Sequence, residues 1–237
     1  MLSSTVADIR AQVRELSDPT VAEHSQRFFK TGPGEYGEGD RFVGVRVPAL
    51  RRLAQQHRGV SLRVAELLLQ SPIHEERLLA LFILVKRYEQ GEAAVRKDVF
   101  DLYQRNMRFV NSWDLVDSSA HKIIGDFLRN RSRRLLHRLA KSVVLWERRI
   151  AIISTMAYIS DGEFGETLKI SEQLLRDDED LIHKAVGWML REIGNRDRKA
   201  EEAFLKKHYK EMPRTMLRYA IEKLPETKRR RFLAGTL

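Results

Sequence analysis

The chain contains no cysteine, which removes disulfides, thiolate nucleophiles and cysteine-ligated zinc or iron–sulfur centres in one step. Its seven histidines never fall in the His-Glu-x-x-His pattern that sets two imidazoles on one helix face, so no metal and no cofactor is expected. Long apolar runs are also missing. The longest, Leu78 to Val85, is far too short to span a bilayer. The start, Met1-Leu2-Ser3-Ser4, lacks the basic flank and apolar core of an export signal. These absences point to a soluble, cytoplasmic protein with no membrane partner. Strand-type alternation is essentially absent. Glycine is sparse, and four of the 13 glycines fall between Lys30 and Asp40. That cluster is no phosphate-cradling loop: it lacks the Gly-Lys-Ser/Thr ending, no strand pattern leads into it, and Glu35, Glu38 and Asp40 would repel phosphate. A long turn or small hairpin before Pro48 is expected instead.

What is present is positive charge and helical periodicity. Lysine and arginine number 43 against 33 acidic residues, for a formal charge of +10, which favours an anionic partner such as nucleic acid or an acidic surface. With 237 residues and 43% hydrophobic composition, the chain can bury a sizeable core, and 1–237 reads as a single domain. Helical patterns cover 5–16, 20–29, 48–57, 61–70, 73–88, 92–104 and 113–128, then 132–140, 145–159, 164–175, 180–193, 198–209 and 214–224. Asp18 or Ser17 caps the second, with Pro19 at an early helical position. The short connections imply antiparallel neighbours.

Several of these helices align on an alanine. Glu76-Arg77-Leu78-Leu79-Ala80, Glu147-Arg148-Arg149-Ile150-Ala151, Leu181-Ile182-His183-Lys184-Ala185 and Met216-Leu217-Arg218-Tyr219-Ala220 are offset by 71, 34 and 35 residues. The first offset is about double the others, and the missing copy falls near Leu115 and Val116. A period of this size is that of stacked helix pairs, close to tetratricopeptide and HEAT-type repeats. The tetratricopeptide Trp/Leu/Gly/Tyr pattern is missing. The expected fold is therefore all-α: a solenoid, or superhelix, of antiparallel HEAT-like repeats. Arg149, His183 and Arg218 each lie two residues before the aligned alanine and should line one surface, giving a concave basic face.

The stretch from Asn111 to Phe127 fills the missing copy. Trp113 and Asp117 are four residues apart at the start of a helix and share a face. Asn111 or Ser112 is placed to cap it, and Asp114 in the first turn suits the helix dipole. Val116, Ala120, Ile123 and Phe127 form the stripe toward the core. The plain reading is a core-anchoring tryptophan with a solvated carboxylate; the alternative is an active centre. Trp188 follows Gly187, a mid-helix glycine of the sort that marks close approach of something to the backbone. Trp113, Arg149 and Trp188 are spaced by 36 and 39 residues, about one repeat each, so two aromatics, an arginine and a carboxylate are expected along one groove.

In these residues the chain resembles the AlkD-type DNA alkylation repair proteins, which are HEAT-like repeat alkylpurine DNA glycosylases. The matching segments run in order from Phe28-Phe29-Lys30 through Trp113-Asp114-x-x-Asp117, Arg149 and Gly187-Trp188-x-Leu190-Arg191-Glu192 to Met212-Pro213-Arg214-x-x-Leu217-Arg218-Tyr219-Ala220. The resemblance implies that Asp117 is the catalytic aspartate, that Trp113 and Trp188 lie against the lesion nucleotide, and that Arg149 is the groove arginine. Lys30, Arg148, His183, Lys184, Arg214 and Arg218 are the further DNA contacts expected. One departure stands out: the family motif has a second tryptophan where this chain has Ser112.

The residue types suit the chemistry so implied. A purine alkylated at N3 or N7 is cationic and leaves without a general acid, so only the sugar oxocarbenium needs stabilising. A carboxylate beside C1′ does this and orients water, and tryptophan faces attract the same charge. An arginine serves instead to hold a phosphate. The expectation is a monomeric glycosylase acting on alkylated purines in double-stranded DNA. A non-catalytic binder of damaged, bent or branched DNA is the alternative, and a protein scaffold the third reading.

Overall fold

The computed structural model describes residues 4–236, so the N-terminal reading falls largely outside the described residues. Fifteen α-helices occur among them: α1 (Val6–Glu15), α2 (Pro19–Phe28), α3 (Val47–Gln56), α4 (Leu62–Leu69), α5 (His74–Gln90), α6 (Ala93–Arg105), α7 (Trp113–Ala120), α8 (Arg134–Leu139), α9 (Leu145–Ser154), α10 (Met156–Ile159), α11 (Gly165–Gln173), α12 (Asp180–Gly194), α13 (Arg198–His208), α14 (Arg214–Ala220) and α15 (Glu226–Ala234). None is long and apolar enough to cross a membrane. No strand is found among the described residues. The glycine-rich segment is a series of turns, not a hairpin, and leads into an isolated parallel bridge between Arg41 and Ile73.

The chain forms two compact units, Met1–Ile123 and Ile124–Leu237. In the first, α5 packs against α3, α4, α6 and α7; in the second, α12 packs against α9, α11, α13 and α14. The alignment on alanine has its cause here. Ala80, Ala151, Ala185 and Ala220 are fully buried on α5, α9, α12 and α14, the central helices of successive pairs, where a methyl side chain lets neighbours close in. Gly187 does the same more strictly. A Cβ there would lie 2.5 Å from the Met216 carbonyl oxygen and 2.5 Å from Tyr219 Cβ, so α14 crosses α12 at a distance only glycine tolerates.

Local chemistry explains several helix starts. Asp18 accepts from the Thr20 and Val21 amides with Pro19 in the first turn of α2, Thr5 and Asp8 form a reciprocal capping box on α1, and Asp197 caps α13. Two long segments break where a single helix was expected. The 113–128 segment passes from α7 into a π-helical turn, His121–Gly125. The wider turn advances the register, so Ile123 and Ile124 are both fully buried, Leu128 follows them inside, and Phe127 is only half-buried. The 145–159 segment divides at Thr155 into α9 and α10. α15 lies beyond the expected helices. Its Glu-Thr-Lys-Arg-Arg-Arg run has no apolar periodicity, and it is held by Glu226 pairing with Arg229 and Arg230, by Gly235 in the left-handed region at its end, and by Phe232 edge-on to Tyr209.

One buried carboxylate sets a pH dependence of stability. Glu201 on α13 is 2% exposed and packs against Gly194 at the end of α12, where an added Cβ would overlap its carboxylate. Burial pushes its pKa from 4.5 up to about 7, Arg198 and Arg191 opposing and Glu202 assisting. A raised carboxylate pKa means stability that is whole below about 4.5 and lost as pH climbs through 7. Glu201→Gln is expected to gain on the order of 2 kcal/mol over the parent above pH ~8 and little in acid, read as a pH-dependent difference in denaturant midpoints.

Candidate active site

α7 begins at Trp113, after Ser112 turns the chain into extended backbone at φ −149° and ψ 154°. Ser112 is the N-cap residue, but its side chain caps nothing: the hydroxyl is buried without a partner. The inward side of α7 carries Leu115, Val116, Ser119 and Ala120, while Trp113, Asp114, Asp117 and Ser118 are half-buried at its edge. Trp113 and Asp117 therefore stand one turn apart on the same side.

Trp113 is supported from behind by aromatic rings. Its ring stacks on Phe29 at 5.2 Å between centroids and 8° between planes, with Phe28 edge-on at 6.0 Å. Phe29 stacks in turn on Phe42 at 4.9 Å, and Phe42 on His74 at 4.3 Å. Such contacts fix the ring plane and are each worth about 0.5–1.5 kcal/mol beyond simple burial.

Beneath this column lies a buried charge cluster. His74, the first residue of α5, has Nδ1 2.8 Å from Asp40 Oδ2 and Nε2 2.8 Å from Asp114 Oδ2. Arg77 Nη2 donates to the same Asp40 oxygen at 2.8 Å. Burial alone would lower the His74 pKa, but Asp114 and Asp40 push it up to about 9. Burial would raise Asp40, yet the hydrogen bond from His74 and the charge of Arg77 hold it below the usual carboxylate value. The neighbouring Glu75 accepts from the Val43, Gly44 and Val45 amides, tying the loop before α3 to α5. Asp114, expected to serve only the helix dipole, is thus the acceptor for a buried imidazolium.

Two titratable groups close to Asp117, Tyr103 and His121, are poor acids at neutral pH. The Tyr103 hydroxyl is fully buried and its pKa is raised by that burial, with the Asp117 charge adding to it. The Ser119 hydroxyl donates to the Leu115 carbonyl at 2.6 Å, which leaves Tyr103 to donate to Ser119 at 3.0 Å. His121, one turn beyond Asp117, is driven down to about 4 by burial and by Lys122, so its ring is neutral.

The second unit holds the other residues singled out in the sequence. Trp188 is half-buried on α12 and its indole N–H donates to Glu192 Oε1 at 3.2 Å; Arg196 pairs with the same carboxylate at 3.1 Å. Arg149 on α9 is 5% exposed and donates to the Leu181 carbonyl at 2.5 Å, joining α9 to the start of α12. Arg148 meets Asp177 through Nε at 2.6 Å and Nη2 at 3.2 Å, and it also donates to the Ser142 and Val143 carbonyls. The His183 ring lies 2.5 Å from the Asp177 carbonyl oxygen, and Lys184 pairs with Asp180 at 2.8 Å. Arg214 is exposed and donates to the Leu233 carbonyl at 2.7 Å. Arg218 is exposed; Lys30, which belongs to the first unit, is exposed as well, with φ at +52°. The positions two before each aligned alanine thus differ in exposure: Arg149 is buried, His183 half-buried and Arg218 exposed.

His74, Asp40, Phe29 and Phe42 were not recognised as a unit from sequence. The available signal is the polar run His74-Glu75-Glu76-Arg77 immediately before Leu78–Val85, since all four of those residues are buried. A run of that kind at the head of an apolar helix requires partners from elsewhere in the chain.

The fold is that of an all-α protein built from antiparallel, HEAT-like helical repeats, and its first unit presents a ring-supported tryptophan beside a carboxylate. The chain belongs to the DNA alkylation repair enzyme family, whose model matches residues 9–224. A solved structure described as a predicted DNA alkylation repair enzyme from Enterococcus faecalis is similar in fold, with a TM-score of 0.66 at 16% identity, over 89% of this chain and 97% of that one. No curated protein matches the chain.

Proposed function

We propose that this chain is a monofunctional DNA glycosylase that hydrolyses the N-glycosidic bond of cationic N3- and N7-alkylated purines in duplex DNA. The observation that carries the reading is the pairing of Trp113 and Asp117 on one side of α7, with Trp113 braced by Phe29; of the groups near Asp117, the His121 ring is neutral and the Tyr103 hydroxyl is kept protonated by burial. In the reaction the C1′–N bond breaks and its electron pair leaves with the purine, which departs neutral and still alkylated. Asp117 and the Trp113 face stabilise the sugar oxocarbenium, water adds at C1′, and its proton passes to solvent. The positive charge already on the lesion does the work of an acid, so the scheme needs no cofactor. Preorganised charge of this kind is the largest single contribution in many enzymes.

Trp188 is assigned to the lesion nucleotide and Arg149 to an adjacent phosphate, both on the resemblance in sequence. Lys30, His183, Lys184, Arg214 and Arg218 are assigned to the DNA backbone as basic side chains, His183 and Arg218 by their shared repeat position; Arg148, expected among them, is instead taken up by Asp177 and the Ser142 and Val143 carbonyls. Because the family match runs through both compact units, the chain is taken to act as one domain, as a monomer on cytoplasmic or nucleoid DNA. Incubation with methylated duplex DNA, followed by chromatography of the released bases, tests the reading. Tight binding with no base released would transfer the chain to the non-catalytic DNA binders.

Duplex affinity should fall steeply with salt, log K dropping by about 0.9 per log unit of salt for each phosphate contacted. Arg218 is exposed, so Arg218→Ala is expected to reduce that slope by about one contact without loss of fold. Fluorescence anisotropy of a labelled duplex over a salt series measures it. Negligible duplex affinity at low salt would leave a protein scaffold as the surviving reading.

A further inference from the structure

The two hydrogen bonds of His74 carry information about its protonation. Carboxylate oxygens stand 2.8 Å from both ring nitrogens, and a carboxylate can only accept. Both nitrogens must therefore bear hydrogen, which is the imidazolium form; a neutral imidazole has one N–H and must abandon one partner. The two partners are not equally provided for. Asp40 also accepts from Arg77 at 2.8 Å and from the Arg41 amide at 2.9 Å. The second oxygen of Asp114, Oδ1, is buried and has no hydrogen-bond partner, so His74 is the donor on which Asp114 depends. Asp114 sits in the first turn of α7, immediately after Trp113 and three residues before Asp117.

The groups that face the ring come from each element packed on it. Asp40 and Phe42 approach from the loop before α3, where the Arg41 carbonyl also accepts from the His74 amide at 2.8 Å. Asp114 comes from α7, Phe29 from the end of α2, and Arg77 from α5 itself. Glu75 and Glu76 on α5 are turned to other partners, the 43–45 amides and Arg10.

We propose that His74 is a positioning residue of the site: as a doubly donating imidazolium it locks Asp114, and through it the first turn of α7, so that Trp113 and Asp117 are held in working orientation. The proposal rests on the glycosylase reading for its activity readout, but the positioning itself is independent of that reading. On deprotonation Asp40 retains Arg77, the half-buried Asp114 carboxylate is left without its donor, and the first turn of α7 is released. Since the His74 pKa is raised from 6.5 to about 9, its contribution is complete below about 6.5 and is lost as pH rises through about 9.

The experiment follows two quantities across roughly pH 6 to 10 in the full chain. One is single-turnover release of 7-methylguanine from a one-lesion duplex. The other is fluorescence of Trp113 without DNA, in a variant carrying Trp146→Phe and Trp188→Phe. The rate is expected to be level to about pH 8 and then to fall with a midpoint near 9, reaching a loss of about tenfold by pH 10, while duplex affinity changes much less. Trp113 emission should move with the same midpoint. Asp114→Asn should shift both midpoints down by about one unit or more, because it removes one of the two stabilising carboxylates, and His74→Gln should show neither transition. A fluorescence midpoint near 9 with no base released at any pH would support the positioning role and defeat the glycosylase reading. The proposal is overturned if Trp113 emission and rate stay level to pH 10 with far-ultraviolet circular dichroism unchanged, if His74→Gln keeps the alkaline transition, or if helix content is lost at the same midpoint. Should His74→Gln fail to fold, the unsubstituted protein and Asp114→Asn still decide the matter.

Discussion

Asp117→Asn should lose base release by roughly 10²- to 10³-fold, about 3 to 4 kcal/mol, while binding duplex DNA as tightly as the parent. The reason is electrostatic. An amide is close in shape to the carboxylate but carries no charge to set against the sugar cation, so the loss should appear in the chemical step and not in affinity. Asp117 lies at the half-buried edge of α7 and not in the core, so the variant should remain folded, which thermal denaturation can confirm. A release rate within a few-fold of the parent would remove Asp117 from the mechanism. Asp114→Asn is no neutral control for this experiment, because Asp114 accepts from buried His74, and its substitution should lower both stability and activity.

The second large effect is selectivity by lesion charge. His121 is neutral and Tyr103 is held protonated by burial, so neither is suited to protonate a neutral leaving base near pH 7. N7-methylguanine and N3-methyladenine should therefore be released, while hypoxanthine in a matched duplex stays bound to its sugar. The discrimination should be at least 10²-fold, the lower range of what a positioned general acid contributes. Bulkier N-alkyl groups should be tolerated if charge and not a close-fitting pocket sets the choice. Comparable release of hypoxanthine would mean that an acid reaches the leaving base from elsewhere.

The fold was legible in the sequence wherever apolar spacing carried it. The aligned alanines at 80, 151, 185 and 220 mark central helices of the repeat, and Gly187 marks the α12–α14 crossing. Legibility failed where spacing was not the deciding quantity. The π-helical turn at His121–Gly125 shifts the buried stripe off Phe127, a one-residue change that periodicity does not register. α15 has one buried apolar side chain and is stabilised by ion pairs and its glycine end, which leaves no amphipathic signature.

For the site, Trp113 and Asp117 could be paired because helix geometry alone relates residues four apart. What surrounds them could not. Asp40 comes from a loop 34 residues before His74, and Asp114 lies 40 residues after it; only tertiary folding brings three such groups into hydrogen-bond range. Charge counting misled in a similar way. Arg148 contributes to the net +10, yet in the folded chain it is bound to Asp177, a pairing that composition does not reveal.

Whether this chain cuts the bond between sugar and alkylated base is decided by the product inventory from a duplex carrying one N7-methylguanine. A glycosylase yields free 7-methylguanine, with its methyl group retained, and an equal amount of abasic site revealed as strand breakage on mild alkaline treatment. Guanine left in an intact strand, or a bound duplex yielding neither free base nor abasic site, would contradict that activity.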